Sequence, residues 1–383
     1  MEALDRAHDL IAAWRQELLG ELPQDVEIFD AHVHLGDDID GMRGRPDELL
    51  GIMDEYNVGR AFMFCLDEPD RHPGFRAPND RTLAYARESN DRLIPFVRLD
   101  LNENPVDEAN RVIDAGARGI KLHPRAQKIS LQDERLMPVF QLANDRNVPI
   151  LIHGGRGLPP IAAHLHALVE RCAGVQLIIA HAGIADMGNL TARFAGLPGV
   201  FFDTSVWSGV DLLDFYRQMP PEQVVYASDY PYARQPNSLL MALRTARLAG
   251  LDEREIVNLL TGNATRIANG EPPLEPTSPK GGNDVTLPTI MARIHQYLSM
   301  AIPLMWTRQA DTIGVLGLAL NTTDSPSNGY REETEQIREL LDAARVLWVA
   351  ALSDDEDAEQ IRSSRIVSRL THLADILAVT AAH

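Results

Sequence analysis

The sequence predicts an α/β fold, a (β/α)8 TIM barrel with a C-terminal helical extension. Between Val26 and Ser228, short apolar runs rich in β-branched residues alternate with polar turns and segments of helical period. Eight such runs occur: VEIFDAHVH, GRAFMFCL, RLIPFVRL, RGIKLHP, VPILIH, VQLIIAH, GVFFDTS and QVVYASD. A chain of 383 residues is long enough for one barrel and an appendage. A doubly wound open sheet is the alternative, but the sequence lacks the Gly-rich nucleotide-binding turn typical of that fold.

The elements divide the chain into four parts. Residues 1–25 have the periodicity of an N-terminal helix, and residues 26–270 contain the eight runs and the helices between them. Residues 271–288 are rich in proline, glycine and polar side chains and predict a linker. In residues 289–383, apolar positions recur every three or four residues, which predicts a helical C-terminal region that packs on the barrel or on another subunit. We find no catalytic motif in this last part.

Composition and charge exclude several classes of protein. Thirty-six basic and fifty-five acidic side chains give a net charge of -19, which disfavours binding to nucleic acid or to an anionic membrane surface. The longest apolar region, residues 298–320, is interrupted by charged residues and is too polar for a membrane span. Cys65 and Cys172 do not form a disulfide framework, and the N-terminus lacks a secretory signal, so we expect a cytoplasmic protein.

Ionisable residues end several of the predicted strands. In the first run, strict alternation puts Ile28, Asp30, His32 and His34 on one face and the residues between them on a helix-covered outer face. The first set then points into the barrel. The same alternation directs four further residues towards the interior, namely Lys121 and His123 of the fourth run, His153 of the fifth and Asp229 of the eighth. His181, which ends the sixth run, is in phase with Leu177 and Ile179, which the same test places on the inner face.

The convergence of these residues predicts a metal site. Active sites of such barrels lie at the carboxyl ends of the strands, where a purely structural strand has no need of an inward imidazole or carboxylate. Each residue alone is more simply explained as a hydrogen-bonded histidine or a capping aspartate, but together they form a constellation: His32, His34, His153, His181 and Asp229. Imidazole and carboxylate groups are ligands that suit Zn²⁺ and similar divalent ions, which activate water for hydrolysis.

The motifs FDAHVHLG, GARGIKLHP, VPILIHGG, LIIAHAG, VVYASDYP and IVNLLTGNATRIA resemble the amidohydrolase superfamily, over about residues 26–268. The resemblance is to the amidohydrolase-related branch of metal-dependent barrel enzymes, which includes aminocarboxymuconate-semialdehyde decarboxylase. It implies that His32, His34, His153 and Asp229 bind one divalent metal, most simply Zn²⁺. It also implies that Asp229 contacts the nucleophilic water, from which we expect it to take a proton, and that His181 orients or deprotonates that water and polarises the substrate. A second metal, bridged by a carboxylated Lys121, is the alternative implied by two-metal members.

Three further residues are candidate substrate contacts. Lys121, His123 and Arg98 stand at the ends of predicted strands, and an arginine is well suited to binding a carboxylate through two hydrogen bonds. For Arg98, a structural contact with a helix or a surface acid is an equal alternative. For Lys121, a substrate-facing or supporting position is favoured over metal bridging because His123 shares its face.

The leading hypothesis for function is a metal-dependent hydrolase that cleaves an amide, lactone or ester bond of a small molecule. Non-oxidative decarboxylation of a small carboxylic acid on the same metal site is the alternative among enzymes. An inactive barrel that serves as a binding scaffold is the alternative from another class. We expect a small-molecule substrate, no nucleic acid, no membrane and a homo-oligomer formed through the helical tail. The sequence does not identify the substrate.

Overall fold

The structure is a computed structural model that describes residues 2–281, 286–306, 309, 311–325, 329–353 and 357–381. Nine strands form one sheet: β1 (Ile28–Asp37), β2 (Arg43–Gly44), β3 (Val58–Cys65), β4 (Leu93–Arg98), β5 (Gly119–Leu122), β6 (Ile150–Ile152), β7 (Leu177–Ile179), β8 (Val200–Asp203) and β9 (Val224–Val225). Eight of them are parallel neighbours in chain order, and β2 adds to β1 as a short antiparallel arm.

The sheet closes into a barrel through the segment that follows β9. The amide of Ala31 donates to the carbonyl of Tyr226 at 2.8 Å, and the amide of His34 donates to the carbonyl of Tyr230 at 2.7 Å. A parallel bridge also joins Val33 to Tyr230. Because the last strand is bonded to the first, the TIM-barrel prediction is confirmed and the open-sheet alternative is wrong.

Helices surround the barrel and extend beyond it. In chain order they are α1 (Glu2–Glu21), α2 (Pro46–Glu55), α3 (Arg76–Glu88), α4 (Pro105–Asp114), α5 (Pro124–Gln127), α6 (Leu136–Arg146), α7 (Ala162–Arg171), α8 (Met187–Phe194), α9 (Gly209–Gln218), α10 (Asn237–Leu248), α11 (Glu253–Val257), α12 (Asn263–Ala268), α13 (Thr289–Trp306), α14 (Thr312–Thr323), α15 (Arg331–Ser353) and α16 (Asp357–Thr380). Within the described residues, no helix combines the length and the apolarity needed to cross a bilayer.

A compact apolar cluster fills the barrel. Its members come from seven of the eight parallel strands and from α12: Phe29, Ala31, Phe62, Phe64, Phe96, Leu151, Ile178, Ala180, Phe201, Val225, Ala227, Ala264 and Ile267. The prediction that Phe29 and Ala31 face the helices is therefore wrong. The pairing of β1 with β3 shifts register after Ile28 and again between Asp30 and Val33, so strict alternation fails in this strand. Val33 and Leu35 do pack outward, in the cluster beneath the helices.

Gly119 at the start of β5 leaves room for the aromatic packing inside the barrel. A Cβ atom at this position would lie 2.5 Å from ring carbons of Phe96, whose side chain is fully buried. The ring of Phe96 packs 4.7 Å from that of Phe62, measured between centroids, and has little space to move.

Gly119→Ala is expected to lower the free energy of unfolding by about 1–3 kcal/mol because the added methyl group overpacks the interior. Chemical denaturation of both proteins would measure the difference. The matched control is Gly51→Ala in the middle of α2, where a Cβ atom would meet nothing within 4 Å and alanine favours the helix. Equal stability of the Gly119 variant and the wild type would contradict this account of the packing.

The C-terminal helices pack on the barrel. α13, α14, α15 and α16 contact one another, and α16 also contacts α9 and α10. Nη2 of Arg369 donates to the carbonyl of Gln235 at 2.7 Å, and the amide of the Asn237 side chain donates to the carbonyl of Arg369 at 2.9 Å. Residues 282–285 of the predicted linker lie outside the described residues, and the four-part division of the chain stays a prediction.

Candidate metal centre

The two histidines of β1 and Asp229 converge at the carboxyl ends of the strands, the end of the barrel that we call the mouth. Nε2 of His32 lies 3.0 Å from Nε2 of His34, and each of these atoms lies 3.3 Å from Oδ1 of Asp229. The amide of Asp229 donates to the carbonyl of His32 at 2.9 Å, so the closure of the barrel itself brings the carboxylate to the histidines. All three side chains are buried.

Asp203 at the end of β8 orients His32. Its Oδ2 accepts a hydrogen bond of 2.7 Å from Nδ1 of His32, which leaves Nε2 of that ring as an unprotonated lone pair directed at His34 and Asp229. Its Oδ1 accepts from the amide of His181 at 2.8 Å and from the hydroxyl of Ser205 at 2.5 Å. Asp203 was not among the residues predicted from the sequence, although it lies in phase with Phe201 in the seventh run, and the alternation test used on the other runs would have identified it.

Asp203→Asn is expected to weaken binding of a divalent ion by about 10–100-fold, the usual effect of removing a carboxylate that holds a metal-binding histidine. The amide cannot accept from Nδ1 with the strength of a carboxylate and leaves the tautomer of His32 less defined. A competition titration with a chromogenic chelator would measure the affinity. Asp214→Asn, an exposed residue of α9, is the control. Unchanged affinity in the Asp203 variant would exclude this positioning role.

His153 and His181 form a second pair beside the first group. Nδ1 of His181 donates to the carbonyl of Ser205 at 2.9 Å, so its Nε2 accepts from Nδ1 of His153 at 3.0 Å. The remaining nitrogen of His153, Nε2, is then a buried lone pair with no hydrogen-bond partner among the described residues. The ring of His181 lies 5.3 Å from that of His32, which joins the two groups.

His181 reaches the mouth by a route that alternation does not predict. Leu177 and Ile179 pack outward under the helices, so the proposed phase of His181 with these residues is wrong. β7 ends at Ile179, and the backbone then turns through left-handed conformations at His181, with φ of 59°, and Ala182, with φ of 50°. This turn directs the imidazole towards His153.

The candidate substrate residues occupy three different environments. Lys121 is fully buried with its Nζ 3.2 Å from Nε2 of His32 and 4.5 Å from the ring centre of Phe64. The ring of His123 stacks on that of His153 with centroids 3.9 Å apart. Arg98 is buried with its guanidinium 4.6 Å from the ring centre of Phe75, and Nη1 donates to the carbonyl of Cys65 at 3.2 Å.

Burial controls the electrostatics of this region. It lowers the pKa values of His32 and His34 well below the usual range, with a further contribution from the charge of Lys121. Burial also lowers the pKa of Lys121 to about 7 and raises the pKa of Asp229 well above its usual value. Neutral imidazoles are the form that binds metals, and a divalent cation beside Asp229 acts on its pKa in the opposite direction to burial.

A cavity of about 620 Å³, which we call the mouth cavity, opens above the cluster. His34, His153, His181, Asp229, His123 and Arg98 all line it, whereas Lys121 is not among the lining residues. Ser299, Ile302 and Pro303 of α13 and Asp375 of α16 form part of its wall. Asp375 accepts a hydrogen bond of 2.7 Å from Nδ1 of His295, which joins α16 to α13 at this wall.

The residues present fit a divalent ion. The described part of the chain contains two groups of side chains with metal-ligand atoms within 4.8 Å of one another, and one of them is His32, His34 and Asp229, all buried. The other, His72, Asp100 and Glu103, lies nearer the surface. Three ligand atoms facing one point, with the lone pair of His153 unpartnered nearby, match the mixture of imidazole and carboxylate that zinc and similar ions prefer.

The fold and this cluster define a parallel (β/α)8 barrel with a candidate metal centre at its mouth. The chain belongs to the amidohydrolase family, because the model of that family, described as Amidohydrolase, matches residues 29–267. The match confirms the resemblance seen in the sequence, and the chain is an enzyme of the amidohydrolase superfamily. The C-terminal helices lie outside the matched residues.

The chain is similar to several solved structures. The chain is similar to IDCase of Metarhizium anisopliae in apo form, with a TM-score of 0.50, 14% identity and coverage of 64% of this chain and 98% of that one. An uncharacterized TIM-barrel protein from Bordetella bronchiseptica gives a TM-score of 0.51 with 13% identity over 63% and 98% of the two chains. A probable 2-pyrone-4,6-dicarboxylic acid hydrolase from Acinetobacter baumannii gives 0.48 with 14% identity over 63% and 99%. The search of curated protein sequences found no significant match.

Proposed function

We propose that this chain is a metal-dependent hydrolase that cleaves an amide, lactone or ester bond of a small molecule. The observation that supports it is the buried group of His32, His34 and Asp229, whose ligand atoms face one point below the mouth cavity. These three residues and His153 would hold one divalent ion, for which we propose Zn²⁺. A divalent ion at this position supplies Lewis acid chemistry, lowering the pKa of water and polarising a carbonyl group.

We propose that Asp229 moves the protons of hydrolysis. Its Oδ1 faces both histidines of β1, and the side chain also lines the mouth cavity, where a substrate and water enter. We propose that its carboxylate accepts a proton from the attacking water and passes it to the leaving group. His181 is held by Ser205 and Asp203 with Nε2 directed towards His153, and we propose that it orients the water and the carbonyl group.

Arg98 is a candidate for recognition of a substrate carboxylate. Its Nε and Nη2 are buried and have no hydrogen-bond partner among the described residues, although the residue lines the mouth cavity. Unpaired donors of a buried guanidinium are costly, and a carboxylate can satisfy two of them at once. We therefore propose that the substrate carries a carboxylate next to the bond that is cleaved. We propose that His123, which lines the same cavity, also contacts the substrate, and that Lys121 supports His32, from whose Nε2 its Nζ lies 3.2 Å away.

A panel of lactones, esters and amides, each offered as a free carboxylate and as its methyl ester, would test this function. We expect acid release in a pH-stat, with the carboxylate form preferred by about tenfold or more, because charge-assisted hydrogen bonds are worth about 1.5–3 kcal/mol. Aromatic acids belong in the same panel. Evolution of carbon dioxide without hydrolysis would replace this proposal by decarboxylation, and a metal-free protein without activity after metal addition would favour a binding scaffold.

Two expectations from the sequence stay predictions. A cytoplasmic location accords with the two cysteines, Cys65 and Cys172, which are both free and buried. Assembly into a homo-oligomer through the C-terminal helices is a second prediction, and light scattering of the purified protein would test it.

A further inference from the structure

A second cavity, of about 440 Å³, lies between the barrel and the C-terminal helices. We call it the basic cavity because four arginines line it, Arg43, Arg234, Arg365 and Arg369, with Glu48 as the one carboxylate among its lining residues. This concentration of positive charge stands out in a chain whose net charge is -19. It lies outside the candidate metal centre, and its α16 wall lies outside the residues matched by the family model.

Two of the four arginines have their charge neutralised by the protein. Arg234 forms a salt bridge with Glu48 and lies over the ring of Tyr230. Arg43 lies 3.3 Å from Asp37, measured from Nε to Oδ1, and its side chain is largely exposed. Their partners are Glu48, which is the one carboxylate among the residues that line the cavity, and Asp37, which is not among those residues.

The other two arginines interact with carboxylates only beyond salt-bridge distance, Arg365 with Glu48 and Arg369 with Glu55 and Glu48. Arg365 and Arg369 stand four residues apart on α16 and so share one face of the helix. Within the described part of the chain neither forms a salt bridge: Arg365 contacts Sδ of Met42 at 3.9 Å, and Arg369 donates through Nη2 to a backbone carbonyl. Nε of Arg369 is buried without any hydrogen-bond partner in that part of the chain.

An arrangement of this kind is costly unless something negative fills it. Burial and the neighbouring charge of Arg234 lower the pKa of Arg369 to about 10. A buried guanidinium without a counter-charge is destabilising, and its fork of donors matches the oxygens of a phosphate or a carboxylate.

We propose that the basic cavity is a binding site for a free small anion with two negative charges, held by Arg365 and Arg369 of α16. Carboxylate and phosphate groups share the required chemistry. Three residues line both this cavity and the mouth cavity: Trp207, Tyr232 and Ile302. A bound anion would therefore lie against residues that also border the candidate active site. The proposal stands on this cavity and does not depend on the reaction at the metal centre.

Thermal unfolding in rising concentrations of inorganic phosphate, and separately of succinate, would test the proposal on the full-length protein. Sodium chloride of matched ionic strength serves as the reference for each. A ligand that binds the native state raises the midpoint of unfolding with concentration. We expect such a rise with at least one of the two probes. A response to phosphate alone would assign a phosphate group, and a response to both would assign any small dianion.

Arg365→Gln and Arg369→Gln should each require about tenfold more anion for the same rise, as expected for the loss of charge-assisted hydrogen bonds. Arg365 is exposed, and Met42 is its one hydrogen-bond partner among the described residues, so its variant should fold even if the Arg369 variant does not. Arg118→Gln removes an exposed arginine just before β5, at the end of the barrel opposite the mouth, and should respond like the wild type. No rise with either probe, or an unchanged response of the Arg365 variant, would overturn the proposal.

Discussion

Asp229→Asn is expected to lower kcat by about a thousandfold or more on any substrate that the enzyme hydrolyses. The asparagine keeps the size of the side chain and leaves the backbone bond from residue 229 to His32 in place, so the barrel should still close. It removes the carboxylate that can accept a proton beside the two histidines of β1. Steady-state kinetics on the best substrate of the panel would measure the loss.

A control separates this effect from a general change in charge or stability. Asp214→Asn neutralises an exposed carboxylate of α9 whose one hydrogen-bond partner among the described residues is the side chain of Gln218, and it should retain wild-type kcat. Circular dichroism of both variants would show that the fold is intact. If the Asp229 variant turned over at more than about a tenth of the wild-type rate, Asp229 would not be the proton carrier.

Removal of the proposed divalent ion is expected to reduce turnover by at least about a hundredfold, because such an ion would supply the activation of water. Dialysis against a chelator should also lower the midpoint of thermal unfolding, since an ion that binds only the native state stabilises it. Addition of Zn²⁺ should restore both properties. Elemental analysis of the protein as purified would give the identity and the number of ions per chain.

His34→Gln should cause the same loss of metal and of turnover as dialysis against the chelator, with no chelator present. The imidazole of His34 provides one of the three ligand atoms that face each other, and its loss should leave the purified protein with less than about a tenth of the wild-type metal content. The matched control is His166→Gln on α7, a histidine paired with Glu170 on the same helix. Wild-type metal content and activity in the His34 variant would show that the β1 histidines are not ligands.

The sequence determined the elements and most of the polar cluster. Local periodicity is a property of neighbouring residues, so eight apolar runs were enough to predict the barrel, and strand ends were enough to select His32, His34 and Asp229. Residues that end different strands then come together in space, because the carboxyl ends of all strands of a parallel barrel lie at the same end. Asp203 could have been found by the same test, since it lies two residues after Phe201 in the run GVFFDTS.

The tertiary structure decided what alternation alone does not determine. Register shifts in β1 turn Phe29 into the interior, and left-handed backbone at His181 reverses the phase expected from Leu177. Both effects arise from pairing with neighbouring strands and from turns, which a period of two residues does not describe.

The basic cavity also depends on the tertiary structure alone. Arg234 lies between β9 and α10, and Arg369 lies on α16 in the C-terminal region. Their separation along the chain gives no sign that both line one cavity. Charges that are far apart in sequence interact only once helices have packed, and their energies depend on burial that the sequence does not reveal. The sequence therefore determined which chemistry the barrel can carry, and the packing of its C-terminal helices decided what surrounds it.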